Sequence, residues 1–455
     1  MANMKQVLLL FSAGIAAAFV TPRAPEADQT VIVIPNDQND VQPVAHNWWD
    51  SVMQGNGFQA LAGSFEHAIK DAETALAQAQ RDHDDGDDHH HHGGHGGHDH
   101  HGHPGDSTKT IYELISENKH TKRFAALVDD HEDIKTLLQD TKTNRTLFVP
   151  TDRAFERIPD HDKDKKPPAE FIRAILAYSI APGRWSSRRI FFSHTVPTEL
   201  TSSSLGDHPQ RLRVSSSLVF GTRINFFTKI VLKDITAKNG LIHAVDFILI
   251  PPPPTAKIIQ LLPNTFSTLS LGLETTGLAD DLDELTFLGG TFFAPTNRAF
   301  TRLGPRANAF LFSDHGKKYL KALLKYSIVA NETLYSDAYY KRKGSDEDTD
   351  ASPKSADYWH VDLPSLLDDK PISVDVRRWK GWVSIVANGF TSVTVQDVLA
   401  RDGVVQLVNK VLFPPRDGHH GGVAGEDREW EVAELMERLE PYVKGSGRGG
   451  SMGDL

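Results

Sequence analysis

The chain has 455 residues, more than one ordinary hydrophobic core accommodates, so its length predicts two or three domains. A hydrophobic share of 39 % excludes wholesale disorder and a polytopic membrane protein. The excess of 60 acidic over 49 basic side chains argues against a phosphate-tracking surface, so no nucleic-acid partner is expected. Cysteine is absent, which removes disulfides, thiolate nucleophiles, cysteine-based zinc sites and iron–sulfur clusters together, while leaving secretion open.

In chain order, Lys5 precedes an apolar run from Val7 to Val20 with small residues at Ala16 to Ala18, the pattern of a signal peptide over 1–20. The run is shorter than the ~20 residues of a spanning helix. It predicts a secreted or cell-surface protein, with the vacuole as the alternative destination. The far end, Lys444 to Leu455, lacks the apolar tail of a GPI-type anchor. Residues 21–106 form an N-terminal extension in which Phe58, Leu61, Phe65, Ile69, Ala72 and Leu76 predict an amphipathic helix. That helix runs into a low-complexity stretch, 82–105, holding ten of the 22 histidines. There His89, His90, His91, His92, His95, His98, His100, His101 and His103 offer imidazoles for Zn, Cu or Ni, without the fixed spacing of a defined site. The competing reading of this tract is a hydrophilic spacer.

Self-similarity dominates the remainder. TLFVPTDRAFERI (Thr146–Ile158) returns as TFFAPTNRAFTRL (Thr291–Leu303), 145 positions later. LAYSIAPG (Leu176–Gly183) returns as LKYSIVAN (Leu324–Asn331), and NGLIHAVDFILIPP (Asn239–Pro252) as DGVVQLVNKVLFPP (Asp402–Pro415). Three blocks in one order mark a duplicated domain, read as 107–253 and 254–415, with a tail at 416–455 patterned for a short helix by Trp430, Leu435, Met436 and Leu439. Thr146–Val149 reads as a strand stopped by Pro150, after which Thr151 and Asp152 (Thr296 and Asn297 in the second copy) cap a helix. A longer helix opens at Pro167-Pro168. Lys229–Ile235 and Leu241–Ile250 read as a hairpin turned at Asn239-Gly240, with Asp402-Gly403 in the same place later. Apolar residues on both faces of Leu241–Ile250 predict burial between layers. The fold class is α+β, and Pro251–Pro254 leaves no room for a flexible linker.

These blocks resemble the fasciclin (FAS1) domain family, through the strand–Pro–Thr–Asp/Asn–x–Ala–Phe segment, present twice, and the Asn/Asp-Gly strand carrying His243 and Asp246. The chain is similar to fungal fasciclin-domain proteins. The resemblance covers roughly Ser107–Pro415 and implies two tandem FAS1-like domains, each a β-sandwich-like wedge with flanking helices. It also implies roles in cell adhesion or in matrix and cell-wall organisation. In the middle block this chain has Tyr178-Ser179 and Tyr326-Ser327 where the family often has Tyr-His, and the second copy replaces His243 and Asp246 by Gln406 and Asn409. An Asp-Ile pair tied to integrin recognition in animal members corresponds to Asp234-Ile235, with Asp397-Val398 as its weaker counterpart. The same residues also read as a turn cap and core filler.

His243 and Asp246 lie three apart in a strand and so point to opposite faces, which argues against a shared acid–base role. No nucleophile elbow, phosphate loop or dinucleotide fingerprint occurs, so no enzyme and no required cofactor are expected. Arg184, Arg188, Arg189, Arg211 and Arg213 beside Trp185, Phe191 and Phe192 read as a basic surface able to take acidic glycans, or as a solvated face. Asn144 and Asn331 open two N-glycosylation sequons. The expected function is non-enzymatic adhesion or matrix interaction. Its partner would be a cell-surface or matrix protein or a polysaccharide, with peripheral membrane or cell-wall association. The alternative is a secreted or vacuolar metal-binding protein working through the histidine tract.

Overall fold

The computed structural model describes residues 105–157, 167–217, 221–279, 288–341, 358–367, 370–379, 382–415 and 429–444. The expected signal peptide, the helix over 58–80 and the histidine tract lie outside them.

The first unit opens with three short helices, α1 (Ile111–Glu117), α2 (Lys122–Asp129) and α3 (Glu132–Gln139). Thr110 and Glu113 start α1 with a reciprocal capping box, which satisfies two otherwise orphaned N–H groups. The strand β1 (Arg145–Pro150) is buried throughout. After it come α4 (Asp152–Glu156), α5 (Ala169–Tyr178), β2 (Ile180–Pro182), α6 (Ser187–Phe191), β3 (Thr195–Thr201), β4 (Pro209–Ser217), β5 (Gly221–Ile224), β6 (Thr228–Ala237) and β7 (Gly240–Val245). The second unit repeats the plan with α7 (Thr255–Leu261), α8 (Pro263–Thr275), β8 (Gly290–Pro295), α9 (Asn297–Thr301), α10 (Pro305–Leu311), α11 (Lys317–Tyr326) and β9 (Ile328–Ala330). A small pair, β10 (Thr333–Leu334) and β11 (Tyr339–Tyr340), precedes β12 (Tyr358–Pro364), β13 (Pro371–Trp379), β14 (Trp382–Ala387), β15 (Thr391–Ala400) and β16 (Gly403–Val408).

Each unit is built on a seven-stranded sheet, ordered β2-β1-β7-β6-β5-β4-β3 in the first and β12-β13-β14-β15-β16-β8-β9 in the second. The two orders are the same topology read from opposite ends. The expected hairpin is present in both, Ala237 facing Gly240 and Ala400 facing Gly403. Its second strand lies parallel to the strand of the Pro-Thr block, β7 on β1 and β16 on β8. A parallel pair covered on both faces accounts for the unbroken burial of β7 and β16. The strand stops at Val245, short of the expected Ile250. There the Asp246 carboxylate turns back to accept the Lys229 N–H at 2.7 Å, while the Asp246 N–H donates to Lys229 O.

One core cluster fills the first unit, including Phe124, Phe148, Tyr178 and Val245. Three clusters lie in the second, and the C-terminal helix α12 (Val432–Lys444) belongs to the largest: Leu435 and Leu439 are fully buried, and Trp430 stacks on Phe413 at 4.1 Å. The tail helix is therefore an integral part of the second unit's core. Among the described residues no helix is long and apolar enough to cross a membrane.

The turn glycines are required for space as well as for conformation. Gly240 has φ +156°, and a Cβ there would sit 1.8 Å from Arg145 O; at Gly403, φ +153°, the neighbour is Gly290 O at 2.2 Å. Gly183 has φ +81° with nothing near its Cβ position. Gly240→Ala should therefore lower the unfolding free energy by about 3 kcal/mol or more, because backbone must move, whereas Gly183→Ala should cost about 1 kcal/mol. Urea titrations of the two variants check the contrast.

Candidate functional site

The repeated polar residues converge on one feature in each unit, a bulge in the outer strand of the hairpin. Register slips in β6 before Ile235 and in β15 before Val398. The bulged residues, Asp234 and Asp397, take left-handed φ values of +59° and +58°, which an aspartate tolerates better than most side chains. In the first unit His243 Nδ1 accepts the Asp234 N–H at 3.2 Å, and its Nε2 donates to Trp185 O at 2.7 Å. A carbonyl can only accept, so this geometry assigns the neutral Nε2–H tautomer. The Asp234 carboxylate accepts the Ser187 N–H at 2.8 Å and the Ser187 hydroxyl.

Gln406 reproduces the same bonds without a titrating group. Its Oε1 accepts the Asp397 N–H at 3.1 Å, its Nε2 donates to Leu334 O at 2.9 Å, and Asp397 accepts the Ser336 N–H at 2.8 Å and the Ser336 hydroxyl. Histidine and glutamine are exchangeable here because each offers one acceptor and one donor at similar reach. Burial holds the His243 ring below the ordinary histidine range. In the second unit burial, reinforced by nearby Asp337, pushes the Asp397 carboxyl above the usual carboxylate range.

The Asp397-Val398 pair therefore turns inward, while Asp234-Ile235 is half-buried. Asp397 is 1 % exposed and Val398 3 %, Asp234 is half-buried on Ser187, and Ile235 packs against the first core. The bonds of Asp397 and the burial of Val398 fit a turn cap and core filler.

The capping residues need a different correction. Thr296 does cap its own helix, accepting from Ala299 N, whereas Thr151 makes no such bond. Asp152 accepts the Arg123 N–H in the first turn of α2 at 2.9 Å, and Asn297 accepts the Thr268 N–H of α8 at 2.9 Å while donating to Pro263 O and Asn264 O. Each thus ties α4 or α9 to a neighbouring helix. Asp246 pairs with Arg157 at 3.2 Å, and Asn409 O receives Arg302 at 3.3 Å.

A further duplicated network was not legible as a motif. Tyr178 donates to Arg211 O and accepts from Asn225; Tyr326 donates to Pro371 O and accepts from Asn388. Asn225 and Asn388 both have positive φ and stand at the spacing of the hairpin block, so extending the internal comparison upstream would have found them.

The five arginines do not form one surface. Arg184, Arg188 and Arg189 are exposed around α6, Arg189 lying 3.6 Å over the Trp185 ring. Arg211 and Arg213 are drawn into the junction between the units. Arg211 donates to the Tyr340 hydroxyl at 3.0 Å and lies 3.8 Å from Asp337, whose carboxylate also accepts the N–H groups of His194 and Thr195. Arg213 donates to Gln396 O at 2.9 Å and covers Phe226. Gln210 and Ser204 both donate to Arg401 O, and His208 stacks on Tyr340 at 4.4 Å. Asn144 is exposed; Asn331 is half-buried, its side chain accepting from Leu288 N. Among the described residues no group of three histidine or carboxylate side chains is placed to hold a metal ion.

A family model described as the fasciclin domain matches residues 119–251 and 264–414. The chain is 30 % identical over 363 residues to aurofusarin biosynthesis cluster protein S of Gibberella zeae, covering 74 % of this chain and 87 % of that protein. It is 21 % identical to the fasciclin-like arabinogalactan protein elcF of Phaeosphaeria nodorum, covering 63 % and 84 %. It is 24 % identical to stabilin-2 of Rattus norvegicus, covering 42 % of this chain and only 14 % of that one. Among solved structures, the FAS1 domain pair of the insect cell adhesion molecule fasciclin I aligns with a TM-score of 0.32 and 19 % identity, over 67 % of this chain and 95 % of that one.

The buried imidazole makes the first unit acid-sensitive. Its folded pKa lies below the unfolded value of ~6.5, so its contribution is fully present above that value and is lost as pH falls through the folded pKa. His243→Gln should keep the fold within about 1 kcal/mol and remove this acid-side loss, whereas His243→Ala, leaving the Asp234 N–H and Trp185 O unpaired, should cost about 3 kcal/mol. Denaturant midpoints between pH 4 and 8 distinguish the three proteins.

Proposed function

The chain belongs to the fasciclin domain family, and from that premise we propose that it is a secreted, non-enzymatic adhesion-type protein acting on the matrix or cell wall through surfaces of its two units. One observation carries this reading: the polar residues most suggestive of chemistry are consumed within the fold, and the second unit substitutes the non-titrating Gln406 for His243 in the same bonds. Chemistry shared by the two units would not survive that exchange, whereas a scaffolding role does. The name of the elcF relative, an arabinogalactan protein, favours a carbohydrate-rich setting.

A second reading is favoured by the relative named for aurofusarin biosynthesis, matched along 87 % of its length. In it the chain is a non-catalytic accessory to a biosynthetic route. Deletion of the gene separates the two: accumulation of a biosynthetic intermediate with unchanged cell-wall properties supports the accessory role.

For the leading reading, the C-terminally tagged protein should partition to the medium and cell-wall fraction, and a cytosolic signal from uncleaved chain would remove it. The exposed Asn144 should carry the glycan. Enzymatic deglycosylation should shift the mass of wild type and of Asn331→Gln, and leave Asn144→Gln unshifted.

A further inference from the structure

The junction between the units uses surfaces that the duplication supplies twice, and among the described residues the chain occupies only one of each. The first unit receives with the outward row of β3 and β4, namely Thr195, Arg211 and Arg213. The second presents the turn from Ser336 to Tyr340, together with backbone at Gln396 and Arg401.

Strand register locates the spare receiving surface. Thr195 faces Arg213 across β3 and β4 as Asp362 faces Ser373 across β12 and β13, so the equivalent face of the second unit is the outer side of β12–β14. That face is open. Tyr358 and Trp382, 53 % and 66 % exposed, stand on it with Asp362 and Asp375, and with His360 and Arg377 beside them. The spare presenting element follows from the bulge clamps. Ser187 bonds Asp234 as Ser336 bonds Asp397, so Arg188 stands where Asp337 stands; by the hairpin spacing Lys233 and Lys238 stand where Gln396 and Arg401 stand. Arg184, Arg188, Arg189, Lys233 and Lys238 are all exposed, and no acidic residue occurs from 183 to 193.

The signs are reversed in step. Inside the chain an acidic turn meets a basic face; on the spare surfaces a basic turn awaits a face that carries exposed Asp362, with Asp375 held by Tyr358 and His360. We propose that a second copy of this chain docks its α6 end on the outer face of β12–β14, repeating head to tail the contact already made between the two units. The reversal also gives register, because the Asp337 turn of another copy would meet like charge on that face. Such a contact joins two different surfaces and need not close on itself, so it builds linear chains of molecules. It goes beyond the adhesion reading, which stands or falls on localisation and partner binding.

Sedimentation velocity on the full chain over a wide concentration range tests it. Association should grow past the dimer with concentration and weaken at high salt. Arg188→Asp and Asp362→Arg should each weaken it about tenfold or more, and the double variant should recover it. Trp382→Ala, an exposed change that spares folding, should weaken it as well. A monomer at every concentration overturns the proposal, as does association that neither charge reversal weakens. Monomers retained on an insoluble polysaccharide through Trp382 would assign the face to a glycan and overturn it too.

Discussion

The structure depends on one backbone N–H in each unit. Bulging the outer hairpin strand at Asp234 and Asp397 removes that group from the ladder and buries it, and an unpaired buried N–H costs about 1–3 kcal/mol. A side chain from the neighbouring buried strand must accept it. That acceptor, His243 or Gln406, uses its second polar atom to fix the segment after the short strand β2 or β9, and the bulged carboxylate fixes the serine two residues further on. Three non-adjacent stretches are thus set by one local irregularity. Its recurrence with different side chains shows that hydrogen-bond geometry, rather than acidity, is what the position requires.

The same segments then decide how the units meet. Ser336 is held by Asp397, so Asp337 beside it is aimed at His194, Thr195 and Arg211 of the first unit. Burying arginines at such a junction is tolerable only when their donors are occupied, and the carbonyls of Gln396 and the hydroxyl of Tyr340 do this. Fold and domain pairing are therefore coupled through a few polar atoms, while the apolar clusters supply most of the burial.

Much of this was legible in the residues. The duplicated blocks located β1 and β8, the hairpins and the turn glycines, because period and turn chemistry are local properties. The parallel placement of β7 on β1 was not, since pairing between distant strands leaves no local pattern beyond the apolar run. Asp152 and Asn297 read as caps of their own helices because sequence spacing cannot distinguish a helix that follows in the chain from one that packs alongside. Arg211 and Arg213 looked continuous with Arg188 for the same reason. Alternation along β4 sends them to a face whose partner, the Asp337 turn, lies more than a hundred residues downstream.

The seating of α12 in the second core bears on biogenesis. Leu435 and Leu439 are among the last described residues to emerge during synthesis, yet they close the core around Phe413 and Trp430. The first unit has its whole sheet available much earlier and can fold as translation proceeds, holding Arg211 and Arg213 uncovered until its mate is finished. That interval is the vulnerable one, and a helper that shields a nascent cationic sheet face would be most useful then.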